Sequence, residues 1–218
     1  MIALFLLLQA GPAVPATLPA QRFDACTALA KTDAAAAVAE GERWVAANGG
    51  VPARLCLGLG YVAQERWAPA EIAFAQAATQ AESVHDGRAA SLWVQAANAA
   101  LAGDDPARAR SDLDKALALP VLTDILRGEA YLDRARAGVA LNDLPAARID
   151  LDQALKLVPA DPLVWLLSAA LARRQGDVRR AVRDLAEART RDPRAPEITE
   201  EAARIAAMPT KPVSPNGR

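Results

Sequence analysis

Apolar side chains recur every three or four residues along most of this chain, in segments separated by turns rich in proline, glycine and asparagine. This spacing is typical of amphipathic helices, whereas a half-buried strand alternates apolar and polar residues. Several segments begin with proline, whose missing amide hydrogen costs no helical hydrogen bond at that position. We therefore expect helices at residues 23–30, 33–47, 53–64, 69–83, 88–102, 106–119, 124–141, 145–157, 162–175, 178–191 and 196–208.

The predicted helices repeat one another in sequence. Residues 147–155 nearly reproduce residues 109–117, and residues 181–188 follow the same template. Because such self-similar units bury their apolar faces only against each other, the pattern predicts a stacked array. Between the last two units an offset of 34 residues relates Tyr131 to Trp165, Ala135 to Ala169, Leu144 to Val178, Ala147 to Ala181, Leu151 to Leu185, Ala154 to Ala188 and Pro159 to Pro193.

The repeated unit resembles the tetratricopeptide repeat (TPR), which is a pair of antiparallel helices. The closest single match to the family pattern is carried by Leu57, Gly58, Tyr61, Trp67, Ala70, Phe74 and Ala77. The resemblance implies an all-α fold, a TPR-like α-solenoid of about four to five antiparallel helix pairs with a C-terminal capping helix. The implied organisation is an incomplete helix pair at 22–50, four repeats at 51–84, 87–120, 124–159 and 162–195, a cap at 196–208 and a disordered tail at 209–218.

The first residues of the chain indicate export. Residues 1–8 form an unbroken apolar run, which is too short to span a bilayer and is followed by prolines and small residues. We interpret residues 1–16 as a signal peptide and expect a periplasmic or secreted bacterial protein with no stable membrane span. The alternative is that the run forms a buried N-terminal helix.

The composition limits the kinds of binding site that the chain can form. The net charge of −1 provides no overall attraction to nucleic acid, and aromatic residues make up only 4% of the chain. One histidine and two cysteines cannot build a zinc finger, so we expect no metal and no cofactor. In an exported chain Cys26 and Cys56 are expected to form a disulfide, although two buried free thiols remain the alternative.

No catalytic arrangement emerges from the sequence. His85 lies in a connection between units, and no glycine-rich phosphate loop is present. The acidic pairs Asp112/Asp114 and Asp150/Asp152 lie beside arginines at helical spacing, which predicts weak ion pairs on the surface. We therefore expect that the protein is not an enzyme.

The resemblance implies that the first helices of the pairs line a groove that holds a peptide or protein partner. This groove would be apolar at its N-terminal end and basic toward its C-terminal end, where the last pair carries eight arginines against four acids. We expect a non-catalytic scaffold in the bacterial envelope; a factor that captures a peptide tail, for assembly or as an enzyme accessory, and a small-anion binder are the alternatives. The apolar candidates are equally compatible with an ordinary core. The candidate residues are Leu55, Leu59, Val62, Val94, Asn98, Leu101, Leu132, Arg136, Val139, Leu166, Ala170, Arg173 and Arg174.

Overall fold

The structure, a computed structural model, describes residues 19–208, and within that range it contains eleven α-helices and no strand. The proposed signal peptide at 1–16 and the proposed tail at 209–218 lie outside the described residues. The helices are α1 (Pro19–Thr32), α2 (Ala34–Ala46), α3 (Gly50–Ala63), α4 (Trp67–Ser83), α5 (Ala89–Ala102), α6 (Pro106–Ala118), α7 (Asp124–Ala140), α8 (Leu144–Leu157), α9 (Pro162–Arg174), α10 (Val178–Arg191) and α11 (Pro196–Ala206).

Each helix packs mainly against its neighbours in the chain, which is the arrangement of an α-solenoid. Helices α3 to α10 form four antiparallel pairs, α1 and α2 precede them, and α11 packs against α9 and α10. The predicted fold is therefore confirmed. The largest differences from the predicted ends lie near the N-terminus, where α1 begins at Pro19 and α3 at Gly50, each a few residues early.

The turns inside the last three pairs share one local conformation. Asp104, Asn142 and Gly176 each adopt a left-handed backbone conformation just after a first helix, with φ of 57°, 60° and 77°. Aspartate, asparagine and glycine tolerate this conformation better than other residues. The aspartate that follows each of them, at 105, 143 and 177, caps the next helix by accepting a hydrogen bond from its backbone. This short turn returns the chain directly onto the preceding helix.

The helices approach closely because small residues lie where they cross. Many buried alanines on the facing sides, such as Ala96, Ala135 and Ala169, have at most 1% of their surface exposed. A Cβ atom added to Gly41 would lie 2.7 Å from the Cα atom of Leu57, so α2 and α3 touch through their backbones. Such contact leaves no room for a larger side chain, and the register between the helices is fixed.

Three repeated aspartates are buried, which corrects the expectation that the acidic pairs lie on the surface. Asp112, Asp150 and Asp184 are 2%, 5% and 1% exposed, and each directly precedes the core leucine of a second helix. Their position beside that leucine takes the carboxylate out of water. The other two acids of the predicted pairs, Asp114 and Asp152, remain substantially exposed.

Arginine side chains compensate two of these buried carboxylates. Arg134 donates to both oxygens of Asp150, at 2.6 and 2.9 Å, and also to Asp114 at 2.7 Å. The hydrogen bond with Asp150 is the main reason why the pKa of Arg134 is raised. Asp184 accepts hydrogen bonds from Ser168, at 2.6 Å, and from Arg180, at 3.2 Å. Because Arg134 binds Asp114 of α6 as well as Asp150 of α8, its hydrogen bonds connect neighbouring repeats.

A disulfide bond fastens the N-terminal end of the array. Cys26 in α1 and Cys56 in α3 are both fully buried and bonded to each other, with their Cα atoms 5.8 Å apart. The closed loop spans 30 residues. The bond therefore holds α1 against the first complete pair of helices.

We predict that replacing both Cys26 and Cys56 by serine lowers the free energy of unfolding by about 3–4 kcal/mol, because a loop of this length restricts the unfolded chain. Urea denaturation of the two proteins measures the difference. A reducing agent should destabilise the wild type and leave the double variant unchanged. Equal midpoints for wild type and variant would show that the bond contributes nothing.

We predict that Gly41→Ala lowers the melting temperature although alanine favours helices, because the new Cβ would meet the backbone of Leu57. Gly87→Ala is the matched control, since nothing lies within 4 Å of its added Cβ. Thermal unfolding followed by circular dichroism checks both variants. A Gly41→Ala protein that melts at or above the wild-type temperature would contradict the close approach of α2 and α3.

Candidate binding face

The first helices of the four pairs, α3, α5, α7 and α9, form one side of the solenoid, which we call the inner face. At its N-terminal end Leu59, Val62, Val94 and Leu101 are half-buried and pack against the main core. Leu55 is only 8% exposed and belongs to the core itself, which corrects its prediction as a groove residue. Leu132 is likewise buried, at 5%. This end of the face therefore presents limited apolar surface.

The polar groove candidates differ in their exposure and in the ion pairs that they form. Asn98 of α5 and Arg136 of α7 are exposed, and they lie on neighbouring first helices. Arg136 donates to Asp133 one turn earlier, with its Nη1 atom 3.0 Å from Oδ1. Burial raises the pKa of the Asp133 carboxyl, and the bond from Arg136 opposes this effect only in part. Arg136 thus shares its charge with a neighbour on its own helix.

A cavity of about 150 Å³ lies on the inner face between α7 and α9. Because Ala135 and Ala170 have short side chains, they leave space between the two helices, and Leu151 of α8 closes the cavity from beneath. We call this the α7–α9 pocket. Its lining is apolar except at two arginines and consists of Ala135, Arg136, Val139, Leu151, Leu167, Ala170, Leu171 and Arg174.

The two consecutive arginines at the end of α9 have different surroundings. Arg173 is turned toward α11, where its Nε atom donates to Glu201 at 2.6 Å, and Glu201 is 2% exposed. Arg174 is exposed at the α7–α9 pocket and donates only to the backbone oxygen of Val139, at 3.4 Å. Within residues 19–208 it forms no ion pair. Of the two arginines that line the pocket, Arg174 is therefore the one without an acidic partner in residues 19–208.

This arrangement suits binding of an apolar group next to an anion. The pocket has the size and apolar lining to take one aliphatic side chain, while Arg174 at its edge can bind a carboxylate. In the part of the chain that the structure describes, no cluster of three or more histidine, cysteine, aspartate or glutamate side chains could hold a metal ion. His85 is exposed in the turn after α4. Among residues 19–208, no helix has the length and hydrophobicity that a membrane span requires.

The sequence named several of the pocket residues and missed others. Arg136, Val139, Ala170 and Arg174 were candidates, whereas Leu167 was not. The small residues Ala135 and Ala170, on successive first helices, were the only sign of the pocket in the sequence. The ion pair between Arg173 and Glu201 could not be inferred from the sequence, because Glu201 lies on the capping helix α11, which has no counterpart among the repeats.

Comparison with known proteins identifies the fold. No family model matches the chain, and no curated protein matches it in sequence. Among solved structures it is similar to YrrB, described as a TPR protein with an unusual peptide-binding site, with a TM-score of 0.66 and 14% identity over 84% of this chain and 90% of that one.

Two further solved structures are similar over almost their whole length. TTC0263 of Thermus thermophilus, described as a thermophilic TPR protein, gives a TM-score of 0.57 at 19% identity, covering 87% of this chain and all of that one. PilF of Pseudomonas aeruginosa gives 0.50 at 14% identity, covering 85% of this chain and 98% of that one. At these identities the likeness establishes the TPR fold of this chain and does not extend to its function.

We predict that Arg173→Ala and Arg174→Ala have different effects on stability. Removing Arg173 leaves the buried Glu201 with Arg204 as its remaining ion-pair partner, so the free energy of unfolding should fall by about 1–3 kcal/mol. Removing Arg174, whose head group is exposed, should change it by less than about 0.5 kcal/mol. Chemical denaturation measures both. Equal losses would mean that Glu201 does not depend on Arg173.

Proposed function

We propose that this protein is a non-catalytic interaction scaffold that binds a peptide segment of a partner protein along its inner face. The α7–α9 pocket is the observation on which this proposal depends. In the described residues Arg174 is exposed and has no acidic partner. The apolar cavity beside it can hold a side chain of the peptide, and the charge of Arg174 can orient that peptide. YrrB, which shares the fold, is described as having a peptide-binding site.

The peptide should carry an aliphatic side chain next to a carboxylate. The aliphatic group would fill the α7–α9 pocket and displace water from Leu167 and Leu171, which favours binding through the hydrophobic effect. The carboxylate would accept hydrogen bonds from the guanidinium of Arg174, which fixes the direction of the peptide. Such a carboxylate can belong to a side chain or to a C-terminus, so capture of a peptide tail by an assembly or accessory factor is a special case of this function.

Binding of a small anion without an apolar part is less well supported. That alternative used Arg136, Arg173 and Arg174 together, but Arg173 is bonded to Glu201 and Arg136 to Asp133. Of the three, only Arg174 forms no ion pair in residues 19–208, and a single exposed cation holds a small anion weakly in water. The apolar floor of the pocket would also remain unused.

We also propose that the scaffold works in the periplasm or outside a bacterial cell. The apolar run at residues 1–8 supports export. The Cys26–Cys56 bond supports an oxidising compartment, since structural disulfides are rare in the cytosol.

Selection of displayed peptides on the mature wild-type protein, followed by fluorescence anisotropy, tests the function. We expect enriched peptides that combine an aliphatic and an acidic residue. Ala170→Leu, which fills the pocket, and Arg174→Glu, which repels the carboxylate, should each weaken binding at least about tenfold, or about 1.4 kcal/mol. Ala46→Leu is the matched control, because Ala46 is exposed at the end of α2 and far along the chain from the pocket.

The control variant should bind as tightly as the wild type, and all variants should keep the wild-type helical spectrum. Two results would overturn the proposal. One is a selection that enriches no peptide, and the other is a set of enriched peptides whose affinity neither Ala170→Leu nor Arg174→Glu changes.

A further inference from the structure

A second feature of the molecule lies away from the inner face, on the exposed side of α10. Arg179, Val182, Arg183, Ala186 and Arg189 are all exposed. At 100° per residue they fall within an arc of about 120° on the helix. We call this set the outer arginine face. Its arc contains no acidic residue, whereas the two acids of α10, Asp184 and Glu187, lie outside it.

The neighbouring second helix extends this surface. An ion pair between Arg180 of α10 and Asp152 of α8 links the two helices. Ile149 and Lys156 of α8 occupy the positions 34 residues before Arg183 and Thr190, and both are exposed, Ile149 by 64%. Cationic and apolar side chains therefore continue from α10 onto α8.

Much of the positive charge on this surface is not neutralised. Lys156, Arg179 and Arg189 form no ion pair with any acid in residues 19–208. The exposed acids nearby have partners outside the face, because Asp152 is bonded to Arg148 and Arg180, and Glu187 to Arg191. Within the outer arginine face Arg183 is bonded to Asp184, with 3.0 Å between its Nη2 atom and Oδ1. The charges of Arg179 and Arg189, and of Lys156 beside them, remain available to a partner of opposite sign.

We infer that the outer arginine face binds the anionic surface of a phospholipid bilayer. Clusters of lysine and arginine are attracted to the negative surface potential of anionic lipids. Lys156, Arg179 and Arg189 would contact lipid phosphates, each strengthening the attachment about fivefold. Val182, which is 54% exposed, would contact the headgroup layer between them.

A flat array of phosphates fits this surface better than an acidic protein does. Protein partners are usually anchored by aromatic residues set into well-packed pockets, and the outer arginine face contains no aromatic side chain. Arginines about 15 Å apart along the helix, such as Arg179 and Arg189, need no fixed spacing in a ligand that presents phosphates everywhere. The inference does not depend on the peptide-binding role of the inner face.

Vesicle flotation with the full mature protein tests the inference. We expect the wild type to float with phosphatidylglycerol vesicles at low salt, to bind phosphatidylcholine vesicles at background level, and to be released as salt rises. The variant Arg179→Gln/Arg189→Gln should bind phosphatidylglycerol about 25-fold more weakly. Arg43→Gln/Arg66→Gln is the matched control, since it also removes two exposed arginines, and these lie far along the chain from α10.

The control should float like the wild type, and all three proteins should melt at similar temperatures because the replaced side chains are exposed. Absence of flotation by the wild type would overturn the inference, as would undiminished flotation of the double variant. Binding to polyglutamate in place of vesicles would overturn it in favour of an acidic protein partner. A wild-type protein that floats with the vesicles but selects no peptide would contradict only the proposed role of the inner face.

Discussion

The structure depends on the close approach of its helices. Each pair is too small to bury its apolar side alone, so the pairs must stack, and stacking at short distance requires small residues at the crossings. Gly41 meets the backbone of Leu57, and Gly58 faces the ring of Phe74, so these positions leave no space for a larger side chain. The same requirement also produces the α7–α9 pocket. Where Ala135 and Ala170 lie on consecutive first helices, the alanines that allow packing also leave the α7–α9 pocket open.

The fold could be predicted from the sequence because equivalent positions in successive repeats show which residues face the core. The match of Tyr131 with Trp165 and of Leu151 with Leu185 determines which side of each helix is buried, and the structure confirms it. Charged residues were harder to place. Asp112 and Asp150 were expected on the surface because charge alone suggests exposure, but each directly precedes a core leucine and is therefore buried. Arg173 and Arg174 are adjacent, and only the position of α11, which has no repeat counterpart, separates their environments.

The buried aspartates also help to determine how the repeats stack on one another. Apolar surfaces pack in many registers at similar cost, whereas a carboxylate without a partner in the interior is costly. Arg134 of α7, bonded to both Asp114 of α6 and Asp150 of α8, is satisfied only when three successive helices are correctly placed. These contacts therefore select one stacking of the repeats among those that the alanine-rich surfaces would allow.

The two ends of the solenoid are secured by different means. The covalent bond between Cys26 and Cys56 closes the N-terminal end, while α11 is held by Ile198, Ile205 and the ion pairs of Glu201. In a one-dimensional array the terminal units open most readily, so fraying should begin at α11 and advance toward α9. The α7–α9 pocket lies in that more labile half. An occupant of the pocket would therefore also suppress the fraying, and the last repeats would be most ordered when the partner is present.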